Sequence, residues 1–229
     1  MSNIAQGIKL VQQRIITAAA AANRDPLEVT LLAISKTRPV TDIREAIAAG
    51  QQHFGENYLQ DALPKIDELS AETPPLYWHF IGAIQSNKTR DIAQHFDWVH
   101  TLERLKIAKR LNDQRPDGLE PLQVCLQINV SGEASKAGMD ADQVLQLAED
   151  IRSLPRLKLR GLMAIPAATD DIAQQRQAFA TLRQLFEQLN QQGYQLDTLS
   201  MGMSNDMEAA IAEGSTIVRI GAAIFGART

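Results

Sequence analysis

Apolar residues recur at helical spacing from the first turn of the chain, at Ile4, Ile8, Val11 and Ile15, which predicts an amphipathic helix. The pattern then changes to short apolar runs separated by longer amphipathic ones. Val29 to Ser35 reads as a first strand, and Thr41 to Ala49 as a helix stopped by Gly50. Residues 52–58 (QHFGENY) read as a second strand with its exit loop, Leu59 to Leu69 as a helix, and 76–84 as a third strand. Lys88 to Gln94 continues into a helix, 97–102 is a fourth strand, and Leu105 to Gln114 a helix ended by Pro116 and Gly118. The fifth strand is expected over 122–130. Asp140 is expected to cap a helix carrying Val144, Leu147, Ala148 and Ile151 on one face. A sixth strand over 157–165 precedes a long helix marked by Phe179, Leu182, Phe186 and Leu189 and closed by Gly193. The seventh strand is expected over 198–203, a short helix capped by Ser204 runs to Glu213, and the eighth strand is expected over 216–226.

Eight strands alternating with helices imply a parallel sheet. A chain of 229 residues, 45% of them hydrophobic, is long enough to close that sheet as a single (β/α)8 TIM barrel with an extra N-terminal helix. One domain over residues 1–229 is expected, since no linker or low-complexity tract interrupts the pattern. An open doubly wound sheet would carry a glycine-rich fingerprint after its first strand. Lys36-Thr37-Arg38 stands at that position.

Charge and composition narrow the function. The net charge of −4 comes without a basic stripe, which argues against a nucleic-acid partner. The one cysteine, Cys125, sits mid-strand, where a thiol is usually inert, and it fits a reducing compartment. The N-terminus lacks the basic and apolar blocks of a signal peptide, and no run of about 18 apolar residues exists to span a membrane. A cytoplasmic monomer is expected. His53, His79, His95 and His100 share no helical ligand spacing, so no metal site is expected, and no nucleophile elbow appears.

In a barrel, functional groups gather where the strands end at the C-terminal face. The first strand offers Lys36; the second Glu56, Asn57 and Tyr58; the third Gln85, Ser86, Asn87 and Lys88. The fifth offers Asn129, Ser131 and Lys136, the seventh Met201 to Asn205, and the eighth Arg219, Gly221 and Ala222. The segment GMSND leads into a helix start, and RIGAAIFG is rich in small residues. Loops after strands seven and eight are the recurrent phosphate position of this fold, although plain capping by Ser204 and close packing by the glycines explain the same residues. A lysine opposite a phosphate site can form a Schiff base with a phosphorylated aldehyde or ketone once desolvation frees its amine. Lys36 stands there, with a solvated strand end as the plain alternative. Arginine keeps its proton, so Arg219 beside the phosphate loop suits the ring nitrogen of pyridoxal phosphate. A structural ion pair with an acidic neighbour is the alternative for Arg219.

AISKTRP, FGENYLQD, WHFIGAIQSNK, INVSGEASKAG, GLMAIP and LSMGMSNDMEAAIAEGSTIVRIGAAIFG together resemble the pyridoxal-phosphate homeostasis proteins, the YggS or PROSC family, from the first strand to the C-terminus. The resemblance implies the barrel of alanine racemase without its second domain, and pyridoxal 5'-phosphate as cofactor. It implies Lys36 as the Schiff-base lysine, Ser204, Asn205, Gly221 and Ala222 near the phosphate, Arg219 near the ring nitrogen, and Asn57 and Met201 lining the ring pocket. It also implies a cofactor carrier acting in vitamin B6 and amino-acid balance, with no established catalytic activity and with apo-enzymes as candidate recipients. A racemase-like enzyme and a Schiff-base aldolase are the rival readings. Lys88 and Lys136 follow strands on the same face and are candidate secondary transfer lysines.

Overall fold

The structure is a computed structural model, and it describes residues 3–131, 138–139 and 141–226. Its elements run α1 (Asn3–Ala21), β1 (Thr30–Ile34), α2 (Val40–Ala48), β2 (His53–Glu56), α3 (Leu59–Glu68), β3 (Tyr77–Phe80), α4 (Thr89–His95) and β4 (Trp98–Leu102). They continue through α5 (Leu105–Gln114), β5 (Leu122–Gln127), α6 (Ala141–Arg152), β6 (Leu157–Met163), α7 (Ile172–Gln191), β7 (Thr198–Ser200), α8 (Met207–Ala212), β8 (Ile217–Ile220) and α9 (Ala222–Phe225). The eight strands are parallel and closed: β1 pairs with β2 on one side and with β8 on the other. This is the (β/α)8 barrel expected from the alternation of elements.

Strand periodicity sorts side chains into two layers. Leu31, Ala33, Phe54 and Val99 belong to the core between strands and helices, with Ile43, Ala62, Ile92, Leu111 and Phe179 supplied by the helices. Each fully buried Val, Leu, Ile or Phe among them contributes roughly 1.5–3 kcal/mol. The positions between them point into the barrel, where Leu32 and Ile34 fill the space left by the missing side chain of Gly55. The first helix carries Ile4, Ile8, Val11 and Ile15 on its buried face and packs on α2, α8 and α9, so it closes the ring of helices at the seam between β8 and β1. Arg24 pins that seam, donating to the carbonyls of Ile211 at 2.9 Å and Ser215 at 2.8 Å.

Several boundaries differ from the sequence reading: the third, fifth and sixth strands end at Phe80, Gln127 and Met163, short of the expected 84, 130 and 165, and three differences bear on the site. The seventh strand stops at Ser200 because Gly202 turns the chain with φ of 96°, and a Cβ there would lie 2.6 Å from that of Ala210. The eighth strand stops at Ile220, and Ala222–Phe225 winds into α9, with the N–H groups of Ile224 and Phe225 both donating to Gly221 O. Ser204 caps no helix: α8 begins at Met207, Asp206 holds the cap position, and Ser204 offers its carbonyl to Arg14 at 3.0 Å. The expected cap Asp140 lies outside the described residues.

Candidate functional site

The first strand delivers Lys36 to the C-terminal rim, half-buried, in a turn closed by Arg38 N–H donating to Ser35 O at 3.1 Å. Thr37 follows with φ of 62°, a left-handed conformation that costs a β-branched residue about 1–2 kcal/mol. Such strain persists only where the surroundings hold it. Arg38 supplies part of that hold: its Nη2 donates to Gly226 O at 2.6 Å and its guanidinium stands 5.9 Å from the Phe225 ring centre. The Lys36 turn is thereby tied to the end of α9.

Beneath this turn, on the helix side of the sheet, lies a buried ion pair that sequence reasoning missed. Lys65 Nζ donates to Glu56 Oε1 at 2.8 Å and to Ser35 O at 2.9 Å, and Ser35 Oγ donates to the same carboxylate oxygen at 2.7 Å. Burial pushes the Glu56 carboxyl up, and the Lys65 ammonium and both hydrogen bonds pull it back. Glu56 Oε2 is buried with no hydrogen-bond partner among the described residues. The sequence signal was available, since a glutamate closing a strand and a lysine inside an amphipathic helix repeat the same sheet–helix packing. The sequence reading instead offers Glu56 as a group of the C-terminal face and does not single out Lys65.

The second and third strands bring Asn57 and Lys88 together. Asn57 Oδ1 is also buried without a hydrogen-bond partner among the described residues. A small cavity of about 170 Å³ is lined by Asn57, Tyr58, Phe80, Gln85 and Lys88. Gly82 permits this approach, for a Cβ there would lie 2.1 Å from Asn57 O. Lys88 is exposed in a short turn ahead of α4, and Lys136 lies outside the described residues.

The other named residues sit on β7 and β8. Met201 is fully buried, Ser204 half-buried and Asn205 exposed in the turn after β7; Gly221 and Ala222 open α9. The two exits are joined, since Arg219 N–H donates to Gly202 O at 2.9 Å and Met201 N–H to Ile217 O at 3.1 Å. Arg219 is 5% exposed and has no carboxylate in salt-bridge contact among the described residues. Its Nη1 donates to Ser200 O at 2.6 Å and Ser200 Oγ at 2.9 Å, and its Nη2 donates to Ala164 O at 2.9 Å. Burial lowers this guanidinium to about 10, and Asp206 and Cys125 oppose the fall through space, so it stays charged at neutral pH. Lys36, Asn57, Met201, Ser204, Asn205, Arg219, Gly221 and Ala222 thus lie on or just after four contiguous strands, β7, β8, β1 and β2, at one end of the barrel. Continuing the inward alternation of each strand leads to Lys36 on β1, Asn57 on β2 and Gly221 on β8.

Cys125 is a free thiol in β5, pushed up to about 12 by full burial. No group of three or more His, Cys, Asp and Glu side chains suited to a metal ion occurs among the described residues. The histidines do form a cluster, but with one another: His53, His79 and His100 line up inside the barrel toward Ser200 and Arg219. A search for ligand spacing on helices passes over them, because they lie on three adjacent strands.

Among the described residues, a half-buried amine, an orphaned buried acceptor at Asn57 and a charged guanidinium without a carboxylate in contact lie at this end of the barrel. Residues 12–229 match the family described as alanine racemase, N-terminal domain. The chain belongs to this family. Among curated relatives, the pyridoxal phosphate homeostasis protein of Pseudomonas aeruginosa is 61% identical over 228 residues, covering 100% of this chain and 97% of the relative. The protein of that name from Escherichia coli is 52% identical over 229 residues, covering 100% and 98%. Among solved structures, PipY of Synechococcus elongatus with pyridoxal phosphate bound is 37% identical with a TM-score of 0.80, over 97% of this chain and 100% of that one. The alanine racemase of Corynebacterium glutamicum, 14% identical with a TM-score of 0.71, shares the fold over 99% of this chain and 60% of its own length.

Proposed function

We propose that this chain is a single domain that binds pyridoxal 5'-phosphate and serves its homeostasis, carrying the cofactor on Lys36 as a Schiff base and thereby affecting amino-acid balance. The observation that carries the reading is Arg219, a buried cation held by a hydroxyl and two carbonyls, on the strand next to the one that leads to Lys36. The names of the relatives and the cofactor bound in PipY support it. When bound, the cofactor supplies an aldehyde that condenses with a primary amine, releasing one water. Lys36 offers that amine, the turns at Ser204, Asn205, Gly221 and Ala222 offer N–H groups to the phosphate, and Asn57 and Met201 border the ring.

Arg219 restrains chemistry. A fixed cation beside the ring nitrogen opposes a second positive charge there, by Coulomb repulsion in a dry pocket. The ring then stays unprotonated and drains electrons weakly. We therefore read the protein as a carrier rather than a racemase or an aldolase, working in the cytoplasm as a monomer. Apo-enzymes are the partners that would receive the cofactor, with Lys88 and Lys136 as the amines that approach it during transfer. No helix among the described residues is long and apolar enough to cross a membrane.

Absorbance of the purified protein with pyridoxal phosphate, followed by deuterium exchange at the α-carbon of alanine, tests this reading. Bound cofactor with slow or no exchange is expected. Rapid exchange or racemisation would make the protein an enzyme, and a protein that binds no pyridoxal phosphate would remove the cofactor reading.

A further inference from the structure

The barrel interior carries polar side chains where branched apolar residues usually fill the layers. His53 Nδ1 lies 3.0 Å from His79 Nε2, His79 Nδ1 lies 2.9 Å from His100 Nε2, and His100 Nδ1 lies 2.7 Å from Ser200 Oγ. Arg219 Nη1 meets the same hydroxyl at 2.9 Å. Strand register makes this line climb. His53 pairs with Tyr77, so His79 stands two residues higher; His79 pairs with Trp98, so His100 stands two higher again. Each step is about 6.6 Å along the strand direction. The lower end opens at His53 and His79 on a cavity of about 410 Å³ that is also bordered by Glu28, Arg160 and Asp197. The upper end is Arg219.

The directions of the protons follow from bookkeeping of donors and acceptors. Arginine can only donate, so one lone pair of Ser200 Oγ is occupied. If His100 donated to that oxygen as well, the hydroxyl proton would be buried without an acceptor, at a cost of about 1–3 kcal/mol. With Ser200 donating to His100 Nδ1 instead, every polar atom of the line from His53 Nδ1 to Ser200 Oγ is satisfied. His100 then carries its proton on Nε2 and gives it to His79, and His79 gives its own to His53. The remaining proton, on His53 Nε2, faces the lower cavity. We infer that His53, His79 and His100 are all neutral Nε2–H tautomers, and that with Ser200 they are positioning residues that fix the Arg219 guanidinium. What Arg219 faces rests on the cofactor reading above; the tautomers do not.

The surroundings keep the line uncharged. Tyr77 stacks on His53 with ring centres 4.7 Å apart, and Trp98 stacks on His79 at 5.4 Å. Glu28, Arg160 and Asp197 are the charged groups at the lower end, and Arg219, with Asp206 and Cys125 acting on it, stands at the upper one. Burial lowers His53, holds His79 well below its ordinary range and takes His100 down to about 3, with Arg219 adding its repulsion. A carboxylate under Arg219 would hold it more tightly but would cancel its field. A neutral line holds it and adds no negative charge beneath it.

Nitrogen-15 NMR of the imidazole rings in the cofactor-free wild type is the first test. His79 and His100 should both show the neutral Nε2–H pattern, unchanged from about pH 8 to about pH 5.5. An Nδ1–H tautomer or a charged ring at either position would overturn the line. The second test is Ser200→Ala and His100→Leu, with Ser200→Thr as the variant that keeps the hydroxyl. A lost hydrogen bond to a charged group predicts a loss of pyridoxal phosphate affinity of at least about tenfold in Ser200→Ala, with a displaced absorption maximum of the bound cofactor. Ser200→Thr should recover both. Unchanged affinity and absorption in Ser200→Ala and His100→Leu would overturn the positioning role, and if neither variant folds the tautomers decide. A wild type that binds no pyridoxal phosphate would sink the cofactor reading while the tautomer result still judges the line.

Discussion

Lys36 sits between two unusual residues. Thr37 holds a positive φ, and Ser35 accepts from the buried Lys65. Both tie the amine to the rim, and both can be tested by substitution. Asparagine adopts the left-handed region at little cost, so Thr37→Asn should raise unfolding stability by about 1 kcal/mol. A loss of stability in urea titration would show that the Thr37 side chain makes contacts outweighing its strain. The Lys65–Glu56 pair should behave oppositely. Lys65→Ala leaves a carboxylate buried, with a second oxygen already unpartnered, and should cost about 3–5 kcal/mol. The double change Lys65→Met with Glu56→Leu should recover most of that loss in the same assay, because it removes both charges rather than one.

The exits of β2 and β3 meet through Gly82, where no side chain fits against the Asn57 carbonyl. Gly82→Ala should force the two exits apart. We expect a loss of at least about 2 kcal/mol in stability and, through the proposed contact of Asn57, weaker binding of pyridoxal phosphate, read by thermal melts and spectroscopic titration. Wild-type values for both would show that the exits are less constrained than they look. Helices and strand order were legible because both depend on periodicity: Ile107, Ala108 and Leu111 mark α5, and the apolar run Leu122 to Gln127 marks β5. The ends of β7 and β8 were not, because MGMSN and GAAIFG contain small and apolar residues that suit a strand or a turn equally. Only the packing of Gly202 against Ala210, and the winding of α9 onto α1, decide between them. Residues at strand ends could be named from the fold rule, whereas the histidine line needed the register of three neighbouring strands.

For the whole molecule, an interior holding neutral histidines makes stability depend on pH. His79 and His100 are lowered in the folded state, so unfolding lets each take up a proton near its ordinary value of 6.5. The stability tied to each is complete above about pH 6.5 and is lost as pH falls from there toward the folded values. Each contributes about 1.4 kcal/mol per pH unit in that window, so the pair predicts a slope of nearly 3. Glu56, raised by burial, acts the other way, its contribution being present below about 4.5 and lost as pH rises toward its folded value. Urea unfolding between about pH 7 and pH 5.5 should therefore show a steep fall in stability that His100→Leu roughly halves. A flat profile would mean that the rings are not held neutral.

The proposed carrier turns on one amine, Lys36, in a barrel mouth bordered by four neighbouring strands. Borohydride reduction of the protein with bound pyridoxal phosphate, followed by peptide mapping, tests that claim most directly. The account predicts a single adduct on Lys36, absent in Lys36→Ala together with the visible absorbance of the bound cofactor. An adduct found only on another lysine, or visible absorbance that survives in Lys36→Ala, would contradict it.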